Sequence, residues 1–225
     1  MLEFINSING IAVSALNPKG YYLLADNSNA SVSGSPKGSV KGSGTWNDGY
    51  LPNVNRNNRI EIASTFTVKN EITFGISFKI LGTTAALSGI AKEYHVFLGG
   101  DNTGLGLMVD SGTNNNPRFL SGVVAGGTAY RHVTDVIPGL TDGGWHNLMA
   151  SFSNTDGILK MYTDGVLRDQ VFLKIGTLTM KSPIYIGCYT KTDDYSCNAA
   201  LRNFRIYNRR LTDYEIGRMH TKRPN

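Results

Sequence analysis

The chain has 225 residues, 40% of them hydrophobic and 17% charged, with 26 glycines, two cysteines and a formal net charge of +5. That length suits one all-β domain with a real core, and the low charge with abundant Gly, Asn, Ser and Thr favours strands and turns over helices. The bulk numbers speak against a nucleic-acid partner, because the basic residues are scattered apart from Arg209, Arg210 and the tail from Arg218 to Arg223.

No run approaches the roughly 18 apolar residues of a membrane-spanning helix, and the start, Met1-Leu2-Glu3-Phe4, lacks the basic and apolar regions of a secretory signal. From Leu16 to Asn58 the chain is rich in Gly, Ser, Asn and Pro, with Ser33-Gly34-Ser35-Pro36-Lys37-Gly38 at the centre, which predicts loops between short strands. A strand follows over Thr73 to Ile80, where Phe74, Ile76, Phe78 and Ile80 alternate with polar or small residues and line one face. Further strands are predicted over His95 to Leu98, Leu105 to Val109, Arg118 to Ala125 and Thr128 to Ile137. Turn clusters such as Gly99-Gly100-Asp101-Asn102 and Asn114-Asn115-Asn116-Pro117 separate them. No repeat of 20 to 50 residues is visible, which excludes solenoids and propellers.

Next comes Gly143-Gly144-Trp145-His146-Asn147-Leu148-Met149-Ala150-Ser151-Phe152, a strand with His146, Leu148, Ala150 and Phe152 on one side. Asn154-Thr155-Asp156-Gly157 and Asp164-Gly165 bracket Ile158 to Thr163, and an Asp-Gly pair between β-prone runs signals a two-residue primed hairpin. Three consecutive antiparallel strands are expected here. Cys188 and Cys197 are too few for a disulfide framework or a thiolate zinc site. Kept in cytoplasm they would be reduced thiols; two strands joined by a short loop would equally set them opposite each other for a bridge. The last stretch, Leu201 to Ile216, reads as a strand and then a helix starting near Asp213. Thr212 and Glu215 have capping-box spacing, and Leu211 and Ile216 have the spacing of a hydrophobic staple.

The Trp145-His146 strand, the Asp-Gly turn, Tyr162-Thr163-Asp164-Gly165, then Ile184-Tyr185-Ile186-Gly187 and the Leu201–Ile216 ending resemble, in that order, the laminin-G-like and pentraxin-like domains of concanavalin A-like type. The resemblance spans Leu16 to Ile216 and includes Asp26-Asn27-Ser28 as an early polar loop. It implies an all-β, two-sheet antiparallel jelly-roll sandwich with a short C-terminal helix. The expected division is an N-terminal segment over 1–15, the jelly-roll domain over 16–217 and a basic tail over 218–225.

That family uses the Trp-His strand as scaffold. Enzymes of the concanavalin A-like type cleave glycans with a Glu, an Asp two residues on and another Glu nearby, whereas the five glutamates here, Glu3, Glu61, Glu71, Glu93 and Glu215, stand apart from such partners. No phosphate-binding loop, zinc-protease helix or serine nucleophile elbow is present either. The chain is therefore expected not to be an enzyme, with a glycoside hydrolase as the outlying alternative.

Calcium is the cofactor the resemblance implies, held by rim-loop oxygens, and Asp101, Asp110, Asp156, Asp193 and Asp194 lie in or beside predicted loops. Asp also starts turns by bonding its own backbone, so a turn role competes at each. Glycan binding needs aromatic planes beside polar groups; Trp46, Tyr50, Tyr94, Tyr130, Tyr189 and Tyr195 are loop-located candidates. The expected ligand site is the loop carrying Tyr189, Lys191, Asp193, Asp194 and Tyr195, with Tyr94 beside it. The expected function is a non-catalytic binding or adhesion module displayed on a surface, as a virion (phage) structural or decoration protein recognising glycans. The alternative is a secreted carbohydrate-binding domain excised from a larger protein. Expected partners are a surface glycan or a virion or cell-surface protein, with self-association into a homo-oligomer as a further expectation. The expected location is a virion surface or the extracellular space.

Overall fold

The computed structural model describes residues 7–8, 11–12, 18–29, 35–53, 57–63, 70–82, 94–99, 105–110, 118–125, 128–173, 183–189 and 197–220. In chain order these form β1 (Ser7–Ile8), β2 (Ile11–Ala12), β3 (Gly20–Tyr22), β4 (Gly38–Lys41), β5 (Thr45–Trp46), β6 (Tyr50–Leu51) and β7 (Arg59–Ile62). Then come β8 (Glu71–Ile80), β9 (Tyr94–Gly99), β10 (Gly106–Asp110), β11 (Arg118–Ala125), β12 (Thr128–Val136), β13 (His146–Ser153) and β14 (Ile158–Thr163). The chain closes with β15 (Val166–Phe172), β16 (Ile184–Ile186), β17 (Ala199–Tyr207) and the helix α1 (Asp213–Met219).

Apart from the small β1–β2 hairpin, the strands make two antiparallel sheets. One has seven strands in the order β12-β11-β10-β9-β16-β7-β4. The other has eight in the order β15-β14-β13-β8-β17-β6-β5, with β3 also paired to β17. The sheets face each other across one core, the arrangement expected from the sequence.

Alternation explains which side each strand buries. On β8, Ile72, Phe74, Ile76, Phe78 and Ile80 enter the core, and Phe78 stacks on Phe97 of the other sheet with ring centroids 4.4 Å apart. The predicted strand over Thr73 to Ile80 thus exists and begins two residues earlier. Leu148, Ala150 and Phe152 of β13 enter the same core. The Asp164-Gly165 pair makes the expected primed turn: both residues have positive φ, 53° and 76°, as a two-residue hairpin of this twist requires.

A second, smaller core lies on the outer face of the eight-stranded sheet under α1. Tyr162, Met149, Gly75, Arg205 and Tyr21 form a cross-strand row there, and Tyr162, Met149, Tyr21 and Tyr207 pack with Leu211, Ile216 and Met219. Gly75 is required in that row because a Cβ would sit 2.5 Å from Met149 Cγ. The helix begins as predicted: Thr212 caps it, Glu215 answers with its side chain on the Thr212 backbone, and Leu211 and Ile216 are both buried against the sheet.

Candidate functional site at the sheet end

A cross-strand row in the eight-stranded sheet, His146–Phe78–Leu201–Tyr50–Trp46, is flanked by two short elements. The first is the turn between β5 and β6. Asp48 there holds a left-handed backbone, φ 51°, and Gly49 follows with φ 148°. A Cβ on Gly49 would lie 2.9 Å from the Leu201 carbonyl oxygen and 3.2 Å from the Trp145 ring, so only glycine lets the turn press against both. The second element is the residue before β13, Trp145.

These two elements meet on Arg202 of β17. Its guanidinium lies over the Trp145 ring, 3.6 Å from the centroid, and Nη1 donates to Asp48 Oδ1 at 2.8 Å. Trp145 Nε1 donates to the other oxygen of Asp48 at 3.2 Å. Arg202 is buried while the Asp48 side chain is 61% exposed, so the cation is the hidden brace and the carboxylate faces water. Trp46, half-buried, tilts against the fully buried Tyr50 at 5.1 Å on the same turn. Trp145 and Asp48 thus form an aromatic edge beside a fixed carboxylate, suited to a ligand with apolar C–H faces and hydroxyl donors.

Trp145 is also tied to an ionic row. The ring of His146 sits between Asp142 Oδ1, 3.0 Å from Nε2, and Asp164 Oδ2, 2.8 Å from Nδ1. Asp164 accepts in addition from the Asn147 backbone N–H at 2.8 Å and approaches His220 Nδ1 at 3.6 Å. Hydrogen bonding to Asp164 and then to Asp142 raises the His146 pKa above its ordinary 6.5, against an opposing effect of burial. Asp142 is held below the usual carboxylate value first by its bond to His146. In Asp164, burial is outweighed by the His146 and Asn147 bonds.

Of the residues expected to bind ligand, Lys191, Asp193, Asp194 and Tyr195 lie outside the described residues. Tyr189 is half-buried, and its backbone packs against Gly99 at the end of β9. Tyr94 opens that strand, five residues away, which sets its backbone roughly 16 Å along β9 from Gly99. Tyr50, one of the aromatic candidates, is fully buried in the core and offers no ring to a ligand. Asp48, Arg202, Asp142, Asp164 and His220 were not singled out as ligand or site residues from sequence; the Asp48-Gly49 pair between Trp46 and Tyr50 is the signal that points to this end.

Calcium needs several converging oxygens. Among the described residues no group of three or more His, Cys, Asp or Glu side chains is placed to hold a metal. Asp156 is taken up by Arg210 Nη1 and by the Ile158 backbone N–H, an Asx-type turn rather than a ligand position. Asp101, Asp193 and Asp194 lie outside the described residues, as does the side chain of Asp110. The glutamates are committed too: Glu61 pairs with Arg59, Glu71 accepts from Ser153 and the Arg210 backbone, and Glu215 pairs with Arg209 and caps α1. Glu3 and Glu93 lie outside the described residues.

Cys188 and Cys197 are not joined in a disulfide; both are fully buried, and burial pushes the Cys197 pKa up, which keeps it in the unreactive protonated form.

Two antiparallel sheets packed face to face, with a primed hairpin and a capped C-terminal helix, define the jelly-roll sandwich class. A family model described as the Concanavalin A-like lectin/glucanases superfamily, of laminin-G type, matches residues 55–217, and the chain belongs to that family. No curated protein matches the sequence. Among solved structures, the binding domain of botulinum neurotoxin serotype G superposes with a TM-score of 0.69 at 14% identity, over 91% of this chain and 50% of that one. The ligand binding domain of serotype D, in complex with N-acetylneuraminic acid, gives 0.67 at 11% identity over 90% and 50%. Domain 4 of AbnA, a GH43 extracellular arabinanase from Geobacillus stearothermophilus, in complex with arabinotriose, gives 0.67 at 16% identity over 91% and 98%. This chain thus spans about half the neurotoxin chains and nearly all of the arabinanase domain. At such identities the likeness establishes the fold.

Proposed function

We propose that the protein is a non-catalytic recognition module that binds a glycan at the sheet end built by Trp145, Asp48 and Arg202. The carrying observation is the Asp48 carboxylate held by both the Trp145 indole and the buried Arg202 guanidinium, which leaves an exposed acceptor beside an aromatic edge. Support by analogy comes from the two similar domains solved with N-acetylneuraminic acid and arabinotriose. A role other than catalysis is supported by the engagement of Glu61, Glu71 and Glu215 in structural pairs.

The setting we propose is a displayed surface, that of a virion or of a cell exterior, where the module attaches one body to another. What favours a docked rather than free module is a set of exposed apolar side chains, Val133 and Val136 on β12 with Val166, Leu167 and Phe172 on β15. The test is a glycan array run with and without Ca²⁺, with the solution mass read by light scattering. Binding that is lost in Trp145→Ala and Asp48→Ala supports the reading at this site; binding that survives both moves the site elsewhere. No binding in either condition, together with a stable symmetric oligomer, overturns glycan recognition in favour of a purely structural role.

A further inference from the structure

The platform residue Trp145 is chemically continuous with the row Asp142–His146–Asp164–His220, whose members come from four places: the loop before β13, the first residue of β13, the β14–β15 turn and the end of α1. A neutral imidazole has one N–H and one lone pair. Set between two carboxylates, it must turn that lone pair toward an anion at one of its contacts; the imidazolium satisfies both with donors. Other groups do not offset this. From β8 the neighbour is the uncharged Phe78 ring, 5.6 Å between centroids, the charges acting on the ring are those of Asp142 and Asp164, and His220 reaches it through Asp164.

The two contacts are unequal. Each carboxylate also accepts one backbone N–H, Asp164 from Asn147 at 2.8 Å and Asp142 from Gly144 at 2.6 Å, but Asp164 is the more buried of the two. Asp142 is 57% exposed, on a loop punctuated by Gly139 and Gly143 at φ 86° and 79°, with open space at both glycines. Loss of the proton therefore releases Asp142 first, and the freed loop runs directly into Trp145.

We propose that Asp142, His146 and Asp164 form a proton-operated latch, which fixes the 138–145 segment and Trp145 when His146 is charged and releases them when it is neutral. The consequence for binding rests on the platform reading of Trp145; the latch itself does not. The experiment follows the His146 ring proton and the Trp145 indole N–H by NMR from pH 5 to 9.5, in a Trp46→Phe background that leaves one indole. The expected result is a shared midpoint above 6.5 for both signals. In Asp142→Asn, on the exposed loop, the His146 midpoint falls by about one unit and the Trp145 signal stops following it. An indole signal that is flat through the His146 titration, or a His146 midpoint at or below 6.5, overturns the latch. The glycan array at pH 6 and pH 9 separates the two ideas. Hits at pH 6 that weaken about tenfold or more at pH 9 support coupling, and hits equal at both pH values overturn it. An array blank at both defeats the platform reading, while the NMR midpoints alone decide the latch.

Discussion

His95 stands on the inner face of the seven-stranded sheet opposite Val109, 2% exposed, and its Nδ1 has no hydrogen-bond partner among the described residues. Burial without a counter-charge lowers its pKa from 6.5 to about 4, so the fold holds it neutral. The unfolded chain takes up a proton near pH 6.5 and the folded one does not until about 4. Stability is therefore lost as pH falls through that window, by at most about 3 kcal/mol at 1.36 kcal/mol per unit. Replacing the ring by an apolar one, His95→Phe, is expected to flatten the decline in Tm between pH 6.5 and 4, which thermal unfolding at a few pH values would read. His146 works in the opposite sense. Its raised pKa contributes stability that is present below 6.5 and fades as pH rises through the folded value. His146→Gln should thus narrow the stability difference between pH 6 and pH 9, and an unchanged profile would mean the carboxylates on either side do not act on it.

The helix and its anchor show how far local pattern reaches. Thr212 accepts from the Glu215 N–H at 3.2 Å, Glu215 returns to the Thr212 N–H at 2.8 Å, and Arg209 grips the same carboxylate, lowering its pKa to about 2. Thr212→Ala should cost about 1 kcal/mol, measured by denaturant unfolding, and a cost near zero would show that the sheet alone sets the helix. This capping box, the Asp164-Gly165 turn and the alternation of β8 were all legible in the sequence, because each depends on residues within a few positions of one another. The Trp145–Asp48–Arg202 group was not. Its members are 97 and 154 positions apart along the chain, and they meet only because β17 lies between β8 and β6 with a register shift between Arg202 and Arg205. A bulge of that kind re-aims a side chain and leaves no mark in composition or spacing. The aromatic candidates read from loop position fared unevenly for the same reason: Tyr50 looked like a loop residue and is the floor of the core.

At the level of the molecule, the two sheets end side by side. His132 on β12 and Asp169 on β15, 2.9 Å apart, join the two edges. Both edge strands are irregular: the β11–β12 register shifts between Arg118 and Leu120, and the β14–β15 register shifts between Met161 and Tyr162. Bulged edges resist pairing with a further strand, so a partner at this side would meet side chains rather than backbone. Phe172, 67% exposed, is the largest apolar group there. Phe172→Ser is expected to weaken any self-association seen by light scattering and to leave glycan binding unchanged; equal association in the variant would remove this face from consideration. The two-sheet class was readable from strand spacing, whereas the closure of its edges depended on pairings more than 30 residues apart, 37 for His132 and Asp169. The position of β17 has one more consequence. It is the last of the described strands in chain order, yet it lies between β8 on one side and β3 and β6 on the other. On a ribosome the earlier strands must wait for it, with the apolar faces of β8 and β13 unsealed, until residue 207 has cleared the exit tunnel. Such a domain cannot close before that strand emerges, and a message truncated ahead of it yields an open sheet rather than a smaller version of the same fold.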